Sequence, residues 1–159
     1  MKNRILISIA TFFGIGKFPK APGTMGTLAT IPLWYLLVQL GTIPYMLVTF
    51  LLIPLGAIAA QAYENASQTH DSKEIVIDEV VGFLITMTLV PVTWQSVIFG
   101  FILFRFFDIV KPGLIRQLDQ KVPGGFGVMA DDIAAGIISS ILMQVIYTQT
   151  NWLGTQILL

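Results

Sequence analysis

Five of the chain's nine acidic residues stand beside strongly apolar sequence, where an uncompensated charge is costly. Asp78 and Glu79 open the run IVIDEVVGFLITMTLV. Asp108 closes SVIFGFILFRFFDIV, and Asp131 and Asp132 begin ADDIAAGIISSILMQVIYT. Carboxylates gathered at one place repel one another unless a cation neutralises them. There is no cysteine and only one histidine, so the donor set suits Mg²⁺ rather than Zn²⁺. A Mg²⁺ ion on one or two carboxylates keeps positions open for water and a substrate phosphate, and it polarises phosphoryl oxygens. Arg105, Asp108 and Lys111 recur at i, i+3 and i+6, neighbours on a helix surface. Arg105 offers a bidentate fork for phosphate and Lys111 a point charge. The residue types therefore admit divalent-metal chemistry on an anionic lipid.

Each of these groups also has a purely structural reading. Arg105 and Asp108 can simply neutralise each other, as charges beside a membrane usually do. Asp131 and Asp132 follow a Gly-rich stretch, so they can cap a helix and offset its dipole. Asp78 and Glu79 can serve as first-turn acids. Adjacent residues point about 100° apart on a helix, so each pair sends one carboxylate straight at a common centre. The segment GIGKFPKAPGTMGTL supplies Lys17, Lys20 and Thr24, with glycine turns able to present backbone N–H groups to phosphate. It lacks the Gly-Lys-Ser/Thr ending of a Walker A loop. His70 lies in a polar loop beside Asp71, where it is either solvated or a ligand or proton shuttle.

The elements that must hold these groups are apolar. The 159 residues are 55% hydrophobic and 11% charged, against about 25% charged in a soluble domain. Residues 21–63 contain no Asp, Glu, Lys or Arg, enough for two crossings of about 20 residues each. The pattern predicts one all-α domain over residues 1–159, a polytopic membrane bundle of four to five spans behind a short N-terminal apolar helix. That first run resembles a signal peptide, but Lys17, Phe18, Pro19 and Lys20 stand where a cleavage site would need small residues. The predicted spans are 24–40, 43–62, 75–90, 96–110 and 131–147, with Pro54 kinking the second. Followed as hairpins, they put every charged residue on one side, which the positive-inside rule makes cytoplasmic. The zero net charge gives no polyanion-binding signature, so nucleic acid is not an expected partner.

Four blocks in order sharpen this: APGTMGTL at 21–28, HDSKEIVIDEVVGF at 70–83, FRFFDIVKPGLIRQLD at 104–119 and GGFGVMADDIAAG at 124–136. With these motifs the chain resembles the phosphatidylglycerophosphatase A family. The resemblance implies a Mg²⁺-dependent lipid phosphatase that converts phosphatidylglycerophosphate to phosphatidylglycerol at the cytoplasmic face of the bacterial inner membrane. Asp78 and Glu79 match the family's acidic pair, Asp108 its R-x-x-D acid, and Asp131 and Asp132 its terminal acidic pair. The resemblance does not divide their roles. Asp78, Asp108 and Asp132 are the expected metal ligands or water activators, with Glu79 and Asp131 beside them in the catalytic set. Arg105 and Lys111 match its basic positions and would hold the phosphate. Lys17, Lys20, Thr24 and His70 complete the expected substrate-binding groups. Two other readings compete. An ion-coupled transporter would place acids at midplane within an internal repeat, and neither feature is visible. A CDP-alcohol phosphotransferase would need a D-G…A-R…G…D…D pattern that this chain cannot supply.

Overall fold

The computed structural model describes residues 2–69, 72–113, 115 and 122–154. Among them are six α-helices and no strand: α1 (Lys2–Ala10), α2 (Pro22–Gln39), α3 (Thr42–Ser67), α4 (Ile77–Thr86), α5 (Trp94–Val110) and α6 (Gly124–Gln149), with a 3₁₀ turn at Ile15–Lys17. The expected all-helical class and short first helix are both present. Local chemistry sets several boundaries. Pro22 opens α2 at a position where its missing N–H costs nothing. Gly41 turns α2 into α3 at a φ of 95°, a conformation that favours glycine. The Thr93 side chain caps α5 by accepting from Ser96 N at 3.1 Å.

α3 and α6, at 26 residues each, are long and apolar enough to cross a membrane. α2 has 18 residues and α5 has 17, and neither meets that combined test. The four to five predicted spans therefore reduce to two helices of spanning length and composition among the described residues. The largest departure is the predicted span 75–90. Its helix runs only from Ile77 to Thr86, about 15 Å at 1.5 Å per residue. Beyond it Leu89 takes a positive φ of 58°. This break has a physical account. Tyr45 Oη donates to the Leu84 carbonyl at 2.5 Å, and Gln144 Nε2 donates to the carbonyls of Thr88 and Leu89 at 2.9 and 3.1 Å. Neighbouring helices thus occupy carbonyls that the interrupted helix leaves open.

α4 is the centre of the packing. Ile77, Val80, Val81, Phe83 and Leu84 are all buried, with α6 against it most extensively and α2, α3 and α5 around it. Gly82 and Gly136 let α4 and α6 approach closely. A Cβ on Gly136 would come within 2.5 Å of the Gly82 carbonyl oxygen, and one on Gly82 within 2.8 Å of the Asp132 carbonyl oxygen. The outer surface is apolar instead of polar: Leu36, Phe50, Leu51, Ile102, Phe106 and Ile141 are all exposed. So broad an apolar exterior suits lipid better than water.

Candidate active site

The carboxylates come from three helices that meet at one end of the bundle. Asp78 and Glu79 occupy the first turn of α4, whose entry is held when Val76 N donates to Ala10 O at 2.9 Å. Arg105 and Asp108 face each other across the last turns of α5, Nη1 to Oδ2 at 2.5 Å. Glu79 Oε1 lies 3.6 Å from the same Nη1. Lys111 ends α5 in the left-handed region at φ 44°, where Pro112 follows, and its Nζ reaches Asp131 Oδ2 on α6 at 2.5 Å. A non-glycine residue held there stores about 1 kcal/mol or more of strain. Ala21, at the mouth of α2, is held at φ 49° in the same way.

Asp131 and Asp132 do not start their helix. α6 begins at Gly124, so both lie in its interior and are buried, and the N-capping reading fails. The glycines before them are packing residues: a Cβ on Gly125 would stand 2.1 Å from the Ala57 carbonyl oxygen. The close α4–α6 contact at Gly82 and Gly136 is what carries Asp132 to α4's first turn.

Asp78, Glu79 and Asp132 each offer one oxygen, and these three atoms lie within 4.8 Å of one another. Asp78 Oδ1, Glu79 Oε2 and Asp132 Oδ2 are buried without a hydrogen-bond partner. Buried polar atoms in that condition call for an explanation, and an ion is one. Asp108, expected on the metal, pairs with Arg105 beside this trio and is not one of its three members. On α4, which is not one of the two spanning-length helices, burial pushes the Asp78 carboxyl well above its ordinary range, with the charges of Glu79 and Asp132 adding to it. Burial raises Glu79 too, opposed by a hydrogen bond with Asp78 and by the Arg105 charge. Three hard oxygen donors with mutual repulsion fit a divalent cation.

The trio opens into a cavity of about 350 Å³. Its walls include Asp108, Asp131, Arg105, Lys111 and Thr24, together with Ala21, Gly23, Ser72 and Lys73. Five carboxylates thus face three cations, leaving two net negative charges that one divalent ion would balance. Lys17 and Lys20 are exposed before α2 and are not in this lining. His70 lies outside the described residues. Gly23, Ser72 and Lys73 were not among the residues singled out by the sequence. Gly23 had a signal in its place after Pro22: a Cβ there would stand 1.9 Å from Glu79 Oε1. Lys73 had one in its position on the charged side of the hairpin path.

A profile of the phosphatidylglycerophosphatase A family matches residues 8–147. The chain is 43% identical over 145 residues to phosphatidylglycerophosphatase A of Escherichia coli, covering 87% of this chain and 84% of that one. It is 40% identical over 137 residues to the Haemophilus influenzae protein of the same name, covering 85% and 84%. A putative phosphatidylinositol-3-phosphatase of Bacteroides thetaiotaomicron is 38% identical over 146 residues, covering 87% and 91%. No solved structure matches the chain.

Proposed function

The chain belongs to the phosphatidylglycerophosphatase A family, and on that premise we propose that it hydrolyses phosphatidylglycerophosphate to phosphatidylglycerol and inorganic phosphate. It is a phosphoric monoester hydrolase. The observation that carries the reading is the buried trio Asp78, Glu79 and Asp132, with its unpartnered oxygens, opening into a cavity that also holds Arg105 and Lys111. In the reaction the bond from phosphorus to the terminal glycerol oxygen breaks, and a water oxygen takes its place on phosphorus. The departing glycerol oxygen gains a proton.

The trio would hold Mg²⁺, which when bound supplies charge stabilisation to phosphoryl oxygens and a more acidic water. The rest of the work belongs to side chains. Arg105 presents its guanidinium to the phosphate, and Asp108 holds that group in one orientation. Lys111 adds a second positive charge, positioned by Asp131. Burial of the carboxylates keeps bulk water from screening these charges.

The proposed setting is the bacterial cytoplasmic membrane. α3 and α6 cross it, and α2 and α5 complete the bundle as shorter membrane helices. The site end faces the cytoplasm, because the positive charges gather on that side of the hairpin path while the connections near Gly41 and Val92 carry none. Phosphate release from phosphatidylglycerophosphate in detergent micelles, with Mg²⁺ and with a chelator, tests the reading. Mg²⁺-dependent release is the expected result. No release under either condition would overturn the assigned activity, and release unaffected by the chelator would remove the metal.

A further inference from the structure

The site has to distinguish its lipid from others that carry a phosphomonoester, and the three cations on its wall are not equivalent. Arg105 is engaged by Asp108 and Glu79, and Lys111 by Asp131. Among the described residues lining the cavity, Lys73 is the cation with no carboxylate at ion-pair distance. It is also the exposed one, on the loop between α3 and α4.

The described part of that loop, from Ser72 onward, is tied down around Lys73. Ile75 N donates to Ser72 O at 2.9 Å and Glu74 N to Ser72 Oγ at 3.4 Å, closing a tight turn around the lysine. Tyr63 Oη donates to Glu74 Oε2 at 2.7 Å. Gly16 packs beneath the loop so closely that a Cβ there would come within 1.9 Å of the Glu74 carbonyl oxygen. A fixed loop that presents one free lysine at the mouth of an anion site is a recognition device.

We propose that Lys73 is a specificity-determining residue, binding the phosphodiester that links the headgroup to the diacylglycerol. The inference rests on the phosphatase reading above. The phosphomonoester, a dianion, goes to the buried wall with Arg105, whose planar fork suits it. The diester lies between that group and the acyl chains, and therefore toward the mouth. It carries a single charge, and a flexible ammonium matches it without demanding a fixed geometry. A lipid with a monoester but no diester gains nothing from Lys73.

The test compares Lys73→Met and Lys73→Arg with the wild-type protein in detergent micelles. Phosphatidylglycerophosphate is the substrate, and phosphatidic acid, which has the monoester alone, is the competitor. Lys73→Met should raise KM for phosphatidylglycerophosphate about tenfold, the size of one charge-assisted hydrogen bond, and change kcat little. The constant with which phosphatidic acid competes should stay put, and Lys73→Arg should restore most of the KM. Equal weakening toward both lipids, or an unchanged KM for phosphatidylglycerophosphate, would overturn the role of Lys73 and leave the phosphatase reading standing. A wild-type protein that releases no phosphate would overturn both.

Discussion

The two ends of the bundle treat polar atoms in opposite ways. At the end away from the carboxylates, long-range hydrogen bonds satisfy several of them, Trp34 Nε1 being an exception. Tyr45 Oη reaches Leu84 O, Gln144 reaches Thr88 O and Leu89 O, and Thr93 Oγ1 donates to Leu153 O at 2.5 Å. A cavity there is lined by Val38, Met87, Leu89 and Val90 with no charged group. At the site end three buried carboxylates keep oxygens without partners, and Ala21 and Lys111 sit in strained conformations. Backbone strain occurs at both ends, since Leu89 has a φ of 58° at the far one, and what sets the site end apart is its buried charge. That contrast locates function without reference to any relative.

Substitution at each end can break the comparison. Asp132→Asn should show the largest effect. Turnover should fall by about a hundredfold or more, because a donor to the proposed metal is lost. In the presence of chelator the same variant should melt above the wild type, since a buried, unpartnered carboxylate beside Asp78 and Glu79 becomes a neutral amide. Phosphate release and thermal melting on one purified sample check both halves; full turnover would remove Asp132 from the site. Next comes the double change Arg105→Gln with Asp108→Asn. If the two residues serve only to neutralise each other, activity should survive their joint removal. The expected outcome is a folded protein as inactive as the worse single variant, measured by phosphate release.

Smaller effects belong to the packing. Gly136→Ala places a methyl group against the Gly82 carbonyl and should cost about 1–3 kcal/mol, read as a lower Tm. It should also lower activity, because the same contact seats Asp132 beside α4. Tyr45→Phe removes one buried hydrogen bond at the opposite end, while Thr88 Oγ1 still donates to the Leu84 carbonyl at 3.1 Å. It should cost about 1 kcal/mol of stability and leave kcat and KM unchanged. A kinetic defect in Tyr45→Phe would show that the two ends are not separable.

Much of the site is legible in the sequence because lipid restricts where charge can sit. A chain folded as hairpins has only two ends, so Asp78, Asp108 and Asp132 converge once their helices are placed. What spacing does not reveal is which carboxylates meet. Asp108 and Glu79 are both near the centre, and only the orientations of α4 and α5 put Asp108 on Arg105 and Glu79 with Asp78 and Asp132. The length of α4 is equally hidden. After Asp78 and Glu79 the run VVGFLITMTLV has no charge and no proline to mark a break, and the partners that stop the helix lie on α3 and α6. Gly124, Gly125 and Gly127 read as a turn because glycine marks both turns and close helix contacts. Here they belong to α6, and the helix start moves ahead of Asp131.

The shortness of α4 has a consequence for how the protein is made. A ten-residue helix cannot cross a bilayer unaided, since a span takes about 20 residues. Yet α4 is the element that α2, α3, α5 and α6 enclose, and two of those four follow it in the chain. During synthesis it emerges before its last two partners exist. It can settle only when α5 and α6 arrive, and Asp132 arrives with the last of them. Assembly of the proposed site therefore waits for α6, and a chain that stopped before it would lack Asp131 and Asp132.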